Sequence, residues 1–162
     1  IKSIAEKYSG DQSAEKEVIC TSNIVLDYLL NRKLAQCEKL GVGKFIAILG
    51  EMEKTIDDID MYIILENLID NAIEASVKAA RPDVYVVICR TDEGLNFDIA
   101  NTVAKGTKEV NIDTQTTKAD RTKHGYGLKN IKDIVDKYNG NISYEMQGDE
   151  RIMCRVELQM RG

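Results

Sequence analysis

Hydrophobic positions recur along this chain at two spacings, one helical and one strand-like. Between 21 and 40, Ile24, Leu26, Leu29, Leu30, Leu34 and Cys37 recur at helical steps, which predicts a helix with one apolar stripe. Thr21 or Ser22 can cap its start by accepting a backbone N–H, and Gly41 can stop it in the left-handed conformation. Phe45 to Leu49 is a short apolar run before Gly50 and reads as a strand. A charged turn with Asp57, Asp58 and Asp60 follows. Asp58 or Asp60 can cap a second helix, predicted to run to about Ala80, since Pro82 turns the chain out of helical geometry.

The spacing then changes to two. Val84, Val86 and Ile88 alternate with Tyr85, Val87 and Cys89. Beyond a turn at Asp92-Glu93-Gly94, Leu95, Phe97 and Ile99 alternate with Asn96, Asp98 and Ala100. Residues 103–123 carry almost no large apolar side chains and are rich in Thr, Lys and Asp, the composition of a long loop that is either functional or disordered. A third helix is predicted from Gly127 to Tyr138, with Leu128, Ile131, Ile134, Val135 and Tyr138 inward and Asn139-Gly140 at its end. Two strands close the chain: Ile142, Tyr144 and Met146 mark one, and Ile152, Cys154, Val156, Leu158 and Met160 the other. The predicted class is α+β, a two-layer sandwich of one mixed, mostly antiparallel sheet with helices on one face. There is no internal repeat and no sign of a second domain.

Bulk properties narrow the function. With 162 residues the chain can bury one core, and a net charge of −5 argues against nucleic acid or an anionic membrane as partner. No apolar run reaches the roughly 18–20 residues of a membrane span, and the opening Ile1-Lys2-Ser3-Ile4 does not lead one to expect a signal peptide. The chain opens on Ile1, so a piece of a longer protein is expected. The cysteines, Cys20, Cys37, Cys89 and Cys154, lie far apart in apolar segments, which fits buried free thiols in the reducing cytoplasm. His124 is the sole histidine, which excludes a multi-histidine metal site.

The second helix carries the sharpest chemistry. Met61, Ile64, Leu65, Leu68, Ala72, Ala75 and Ala79 form one stripe; Asn67, Asp70, Asn71, Glu74 and Lys78 form another. Amide oxygens are good ligands for Mg²⁺ and add no negative charge beside a triphosphate, and Asn67 and Asn71 stand one turn apart. A plain amphipathic helix with a solvated polar face explains the same stripe about as well. His124-Gly125-Tyr126-Gly127-Leu128 opens the third helix, where glycines allow close approach and free N–H groups point at an anion. Thr116, Thr117, Lys118, Arg121 and Lys123 precede it with hydroxyls and positive charge. Alone, a Gly-x-Gly is more often a turn; the order of amide helix, hairpin, polar loop and glycine-opened helix is the informative feature.

That order resembles the GHKL-type ATP-binding domain, with its Bergerat fold, shared by gyrase, heat-shock chaperones and histidine kinases. Leu65-Glu66-Asn67-Leu68-Ile69-Asp70-Asn71-Ala72 is similar to its Asn-containing box, and His124-Gly125-Tyr126-Gly127-Leu128 to its second glycine box. Thr116-Thr117-Lys118 and the stretch Val25-Leu26-Asp27-Tyr28-Leu29-Leu30-Asn31-Arg32-Lys33 resemble the sensor kinases that answer peptide pheromones in Gram-positive bacteria. The resemblance implies ATP and Mg²⁺ as cofactors, with Asn71 the chief metal ligand and Asn67 assisting. It implies Lys118, His124, Gly125, Tyr126, Gly127 and Leu128 around the phosphates, and 103–123 as a lid. Where the wider family has an Asp-x-Gly that reads adenine, this chain has Ala100-Asn101-Thr102-Val103, so Asn101 is the adenine-side candidate. Where gyrase-like members have a water-activating Glu, this chain has Asn67, which cannot act as a general base.

The expectation is a catalytic domain at 21–162 behind a lead-in at 1–20 that ends an upstream helical dimerisation region. It would pass the γ-phosphate of ATP to a histidine on those helices, with a response regulator as the further partner. The location expected is the cytoplasmic part of a membrane-bound receptor. Two alternatives stand beside it: a degenerate module of the same fold acting by protein contact, and a serine kinase of the anti-sigma type.

Overall fold

The computed structural model describes residues 18–53, 55–107 and 125–160, with backbone alone for Gly125 and Tyr126. The order of elements is α1 (Ile24–Leu40), β1 (Gly43–Leu49), α2 (Asp58–Ser76), β2 (Asp83–Arg90), β3 (Gly94–Thr102), α3 (Gly125–Lys137), β4 (Asn141–Met146) and β5 (Arg151–Gln159). The five strands form one sheet in the order β1-β2-β3-β5-β4; β1 and β2 run parallel and the other pairs antiparallel. This is the α+β class expected from the two spacings.

Alternation decides which face is covered. Val84, Val86 and Ile88, then Leu95, Phe97 and Ile99, then Ile152, Cys154, Val156 and Leu158 are buried under the helices. The opposite face is more polar and carries, across β3 and β5, the ion pair Asp98–Arg155 at 2.7 Å. On the helix side, Met61, Ile64, Leu65, Leu68, Ile69 and Ala72 of α2 join Leu26, Leu29 and Leu30 of α1 and Ile131 and Val135 of α3 in one core. Each such fully buried aliphatic side chain contributes roughly 1.5–3 kcal/mol.

The caps differ from the expected ones. Asn23, not Thr21 or Ser22, caps α1: its Oδ1 accepts from the backbone of Val25 at 3.0 Å and Leu26 at 2.9 Å. Thr21 turns instead to Asp27, because its hydroxyl and N–H both reach that carboxylate. Asp57, not Asp58 or Asp60, caps α2 by accepting from Ile59 and Asp60. The helix α2 ends at Ser76 rather than near Ala80, since turn geometry takes over well before Pro82. Gly41 ends α1 at φ 67° as expected, and Asn139 at φ 47° follows α3. Two positions placed inside by the sequence lie outside: Ile24, at the first turn of α1, is 83% exposed, and Cys20 is exposed ahead of the helix. The four cysteines are free.

Candidate functional site

The polar stripe of α2 splits in two. Asp70 and Glu66 turn toward α1, where Lys33 meets them at 2.5 Å and 3.0 Å. Asn67 and Asn71, each one residue further along, are rotated about 100° from those carboxylates and face the other way. Asn67 donates its Nδ2 to the carbonyl of Ile63 at 2.7 Å, one turn back, which leaves Oδ1 as its free-standing acceptor. That oxygen lies against Gly127 of α3: a Cβ added at Gly127 would sit 2.4 Å from it. A side chain at Gly127 would have to displace Asn67, so the amide helix and the glycine-opened helix meet at this point.

One turn beyond Asn67, Asn71 lines a cavity of about 140 Å³ between α2 and the sheet. Leu68, Ala72 and Ala75 complete the α2 wall, and Ile99 and Asn101 face them from β3. Asn101 is 5% exposed and ends the inward row Leu95, Phe97, Ile99. A buried amide closing an apolar row is costly unless bonded; here Nδ2 donates to the carbonyl of Thr102 at 2.9 Å, which presents Oδ1 as the acceptor.

The cavity also includes Tyr144 and Cys154, a register pair across β4 and β5 that sequence reasoning did not single out. Their inward alternation was legible, but nothing in the spacing tells a core position from a cavity wall. Burial pushes the Cys154 thiol up to about 12, against the hydrogen bond from Tyr144, which acts the other way. The Tyr144 phenol is raised too, first by burial and then by Cys154.

A larger open hollow of about 840 Å³ lies past the end of α2, lined by charges of both signs, including Arg81, Asp83, Lys105 and Glu150. It contains none of the predicted site residues, so chemistry favours the smaller cavity. Of the remaining candidates, Leu128 is half-buried on the core side of α3. Gly125 opens that helix, and Tyr126 follows it. Lys118 and His124, with the rest of 108–124, lie outside the described residues. Among the described residues no cluster of histidine, cysteine and carboxylate side chains could hold a metal. The donors present are two hard amide oxygens, one of them beside a cradle that a Cβ would fill, and they fit Mg²⁺ carried by a phosphate chain.

Solved structures share this architecture. The catalytic domain of the histidine kinase ThkA is 16% identical, with TM-score 0.69 over 87% of this chain and 93% of that one. The mycobacterial sensor histidine kinase MprB is 17% identical, with TM-score 0.59 over 85% of this chain and 94% of that one. Full-length ShkA in complex with AMPPNP is 15% identical, with TM-score 0.63 over 90% of this chain and 33% of that one. At these identities the likeness establishes the fold. No curated protein sequence matches the chain. Residues 56–159, which hold the amide helix, the hairpin ending at Asn101 and the glycine-opened helix, match the family model of the GHKL domain. That stretch is more than half of the 162 residues, and the chain belongs to the GHKL domain family.

Proposed function

We propose that this chain is the ATP-binding catalytic domain of a two-component sensor histidine kinase, of the class that answers peptide pheromones in Gram-positive bacteria. The observation that carries the reading is the seat of Asn67 against the bare Cα of Gly127, one helical turn from a cavity walled by Asn71 and Asn101. In this reading Leu68, Ala72 and Ile99 flank the adenine ring, and Oδ1 of Asn101 accepts from its exocyclic amino group. The phosphates would lie toward the first turn of α3, where the N–H groups of a helix start favour an anion. Asn71 and Asn67 hold Mg²⁺, which neutralises phosphate charge when bound. The protein's part is positioning and charge complementarity, which is what phosphoryl transfer demands.

The amide at Asn67, where gyrase-like relatives carry a water-activating acid, favours transfer to a protein side chain over hydrolysis. Asn67 cannot take a proton from water, and Glu66 is engaged by Arg32 and Lys33 on the α1 side. The acceptor histidine is placed on dimerisation helices upstream, and a response regulator is the onward partner. Among the described residues no helix is long and apolar enough to cross a membrane; the proposal puts this domain on the cytoplasmic side of a receptor.

Titration calorimetry with a non-hydrolysable ATP analogue tests the reading. Binding that strengthens with Mg²⁺, and that Asn71→Ala abolishes while the melting curve is kept, is expected. Wild-type affinity in Asn71→Ala would overturn the site assignment. The amide at Asn101, where the wider family has an acid, favours a second reading as a contact module; no binding at millimolar ligand would select it. A phosphotransfer assay with a supplied histidine-bearing helical domain separates both from a serine kinase, which would place label on serine.

A further inference from the structure

The stretch from Val25 to Lys33, singled out in the sequence, lies ahead of the residues that match the GHKL domain and takes no part in the cavity. Its polar side chains face two ways. Asp27 and Asn31 fasten the incoming strap. Asn31 donates to the carbonyl of Ile19 at 2.8 Å and accepts from its N–H at 2.9 Å, as a neighbouring strand would. Thr21 reaches Asp27 through both its N–H at 2.8 Å and its hydroxyl at 2.6 Å. Lys33 points to the other side and is 2% exposed, with its ammonium at 2.5 Å from Asp70 and 3.0 Å from Glu66. Arg32 adds a second contact to Glu66 and reaches the Tyr62 hydroxyl at 3.0 Å, and Gln36 reaches Asp70 at 3.4 Å.

Burying an ammonium is costly, and apolar side chains of similar volume often hold two helices together as well as a buried ion pair does. Adhesion alone therefore does not explain Lys33. The placement of its partners does. Glu66 immediately precedes Asn67 and Asp70 immediately precedes Asn71. The buried stripe of α2 sets its rotation coarsely; one cation bridging positions 66 and 70 adds a polar restraint at the residues that precede 67 and 71. At a helix outer radius of about 5–6 Å, a rotation of about 10° moves a side-chain oxygen by about 1 Å. Metal coordination tolerates deviations of about 0.2 Å.

We infer that Lys33 is a positioning residue for the metal-nucleotide site, holding Asn67 and Asn71 in register by gripping the carboxylate that precedes each of them. The inference rests on the reading of those amides as ligands of Mg²⁺-ATP.

The test is the double variant Lys33→Met/Asp70→Asn, which keeps the net charge and leaves no lone ammonium buried. A non-hydrolysable ATP analogue is titrated with Mg²⁺ and with chelator, alongside wild type, Asn71→Ala and Lys33→Arg. The gain in affinity from Mg²⁺ falls at least tenfold in the double variant, binding in chelator is unchanged, and Lys33→Arg restores most of the gain because it can still bridge two carboxylates. If the double variant does not fold, Asp70→Asn alone is read in the same way, with a loss of at least threefold. A folded variant whose Mg²⁺-dependent gain stays within twofold of wild type reduces Lys33 to a staple and overturns the inference. If wild type gains nothing from Mg²⁺, or Asn71→Ala matches it, the site reading fails first and the inference falls with it.

Discussion

Replacing Gly127 by Ala separates the site from the fold. Gly127 lies in α3 and has no positive φ, so alanine is free of backbone strain there and gains about 1 kcal/mol of helix propensity. The new Cβ lands 2.4 Å from Oδ1 and 3.2 Å from Cγ of Asn67. Ordinary contact begins about 1 Å further out, so the amide must move by about that distance. Asn67 can yield only by giving up its 2.7 Å bond to Ile63, which is worth about 1 kcal/mol, with about 1 kcal/mol more if its side chain is forced off a rotamer. Gain and loss nearly cancel, and stability should change by about 1 kcal/mol, a few degrees in Tm. The oxygen's displacement, by contrast, is several times what a metal ligand tolerates. Calorimetric titration of Gly127→Ala should show Mg²⁺-dependent affinity for an ATP analogue reduced at least tenfold with near-normal melting. Wild-type affinity would refute the reasoning, and so would a collapse in Tm, since the clash would then be resolved by displacing α3 rather than Asn67.

Asn23→Ala removes the α1 cap and the 2.9 Å bond to Asp58 together, and should cost about 2 kcal/mol in urea unfolding; an unchanged midpoint would show that the cap carries no load. The Cys154 thiol keeps its proton to about 12 in the folded chain, whereas an unfolded thiol loses it near 8.5 (roughly). This contribution to stability is complete below about 8.5 and is lost as pH rises toward 12, at up to about 1.4 kcal/mol per pH unit, with Tyr144 adding in the same direction above about 10. Thermal melts that stay flat from pH 8 to pH 11 in both wild type and Cys154→Ala would contradict it.

The sequence carried the fold well because two rules with different periods do not overlap. Inward rows such as Leu95, Phe97 and Ile99 on β3, or Ile131 and Val135 on α3, can be satisfied on only one face. The caps were missed because Asp57, Asp58 and Asp60 are chemically equivalent in sequence, and only the direction of the incoming backbone selects the first. Ile24 was misplaced because an apolar residue at a helix's first turn extends a stripe in sequence that the core no longer reaches. The four-residue spacing put Asn67 and Asn71 on one stripe of α2 with Asp70, and equally allowed a plain solvated face. The diversion of Asp70 to Lys33 was not legible, since it depends on where a second helix packs.

The bonds Asn23–Asp58 and Lys33–Asp70 show α1 and α2 running side by side in the same direction, so their positive dipole ends coincide. Asp27, Asp57, Asp58 and Asp60 stand at that shared pole. The cavity lies along Leu68 to Ala75, about 15–25 Å up the helix at about 1.5 Å per residue. Those four carboxylates thus stand farther from the cavity than the screening length of physiological salt, about 8 Å, while cations from α1 pair with Glu66 and Asp70 beside it. On the proposed reading, an incoming polyanion meets Asn67 and Asn71 with the carboxylate that precedes each already paired.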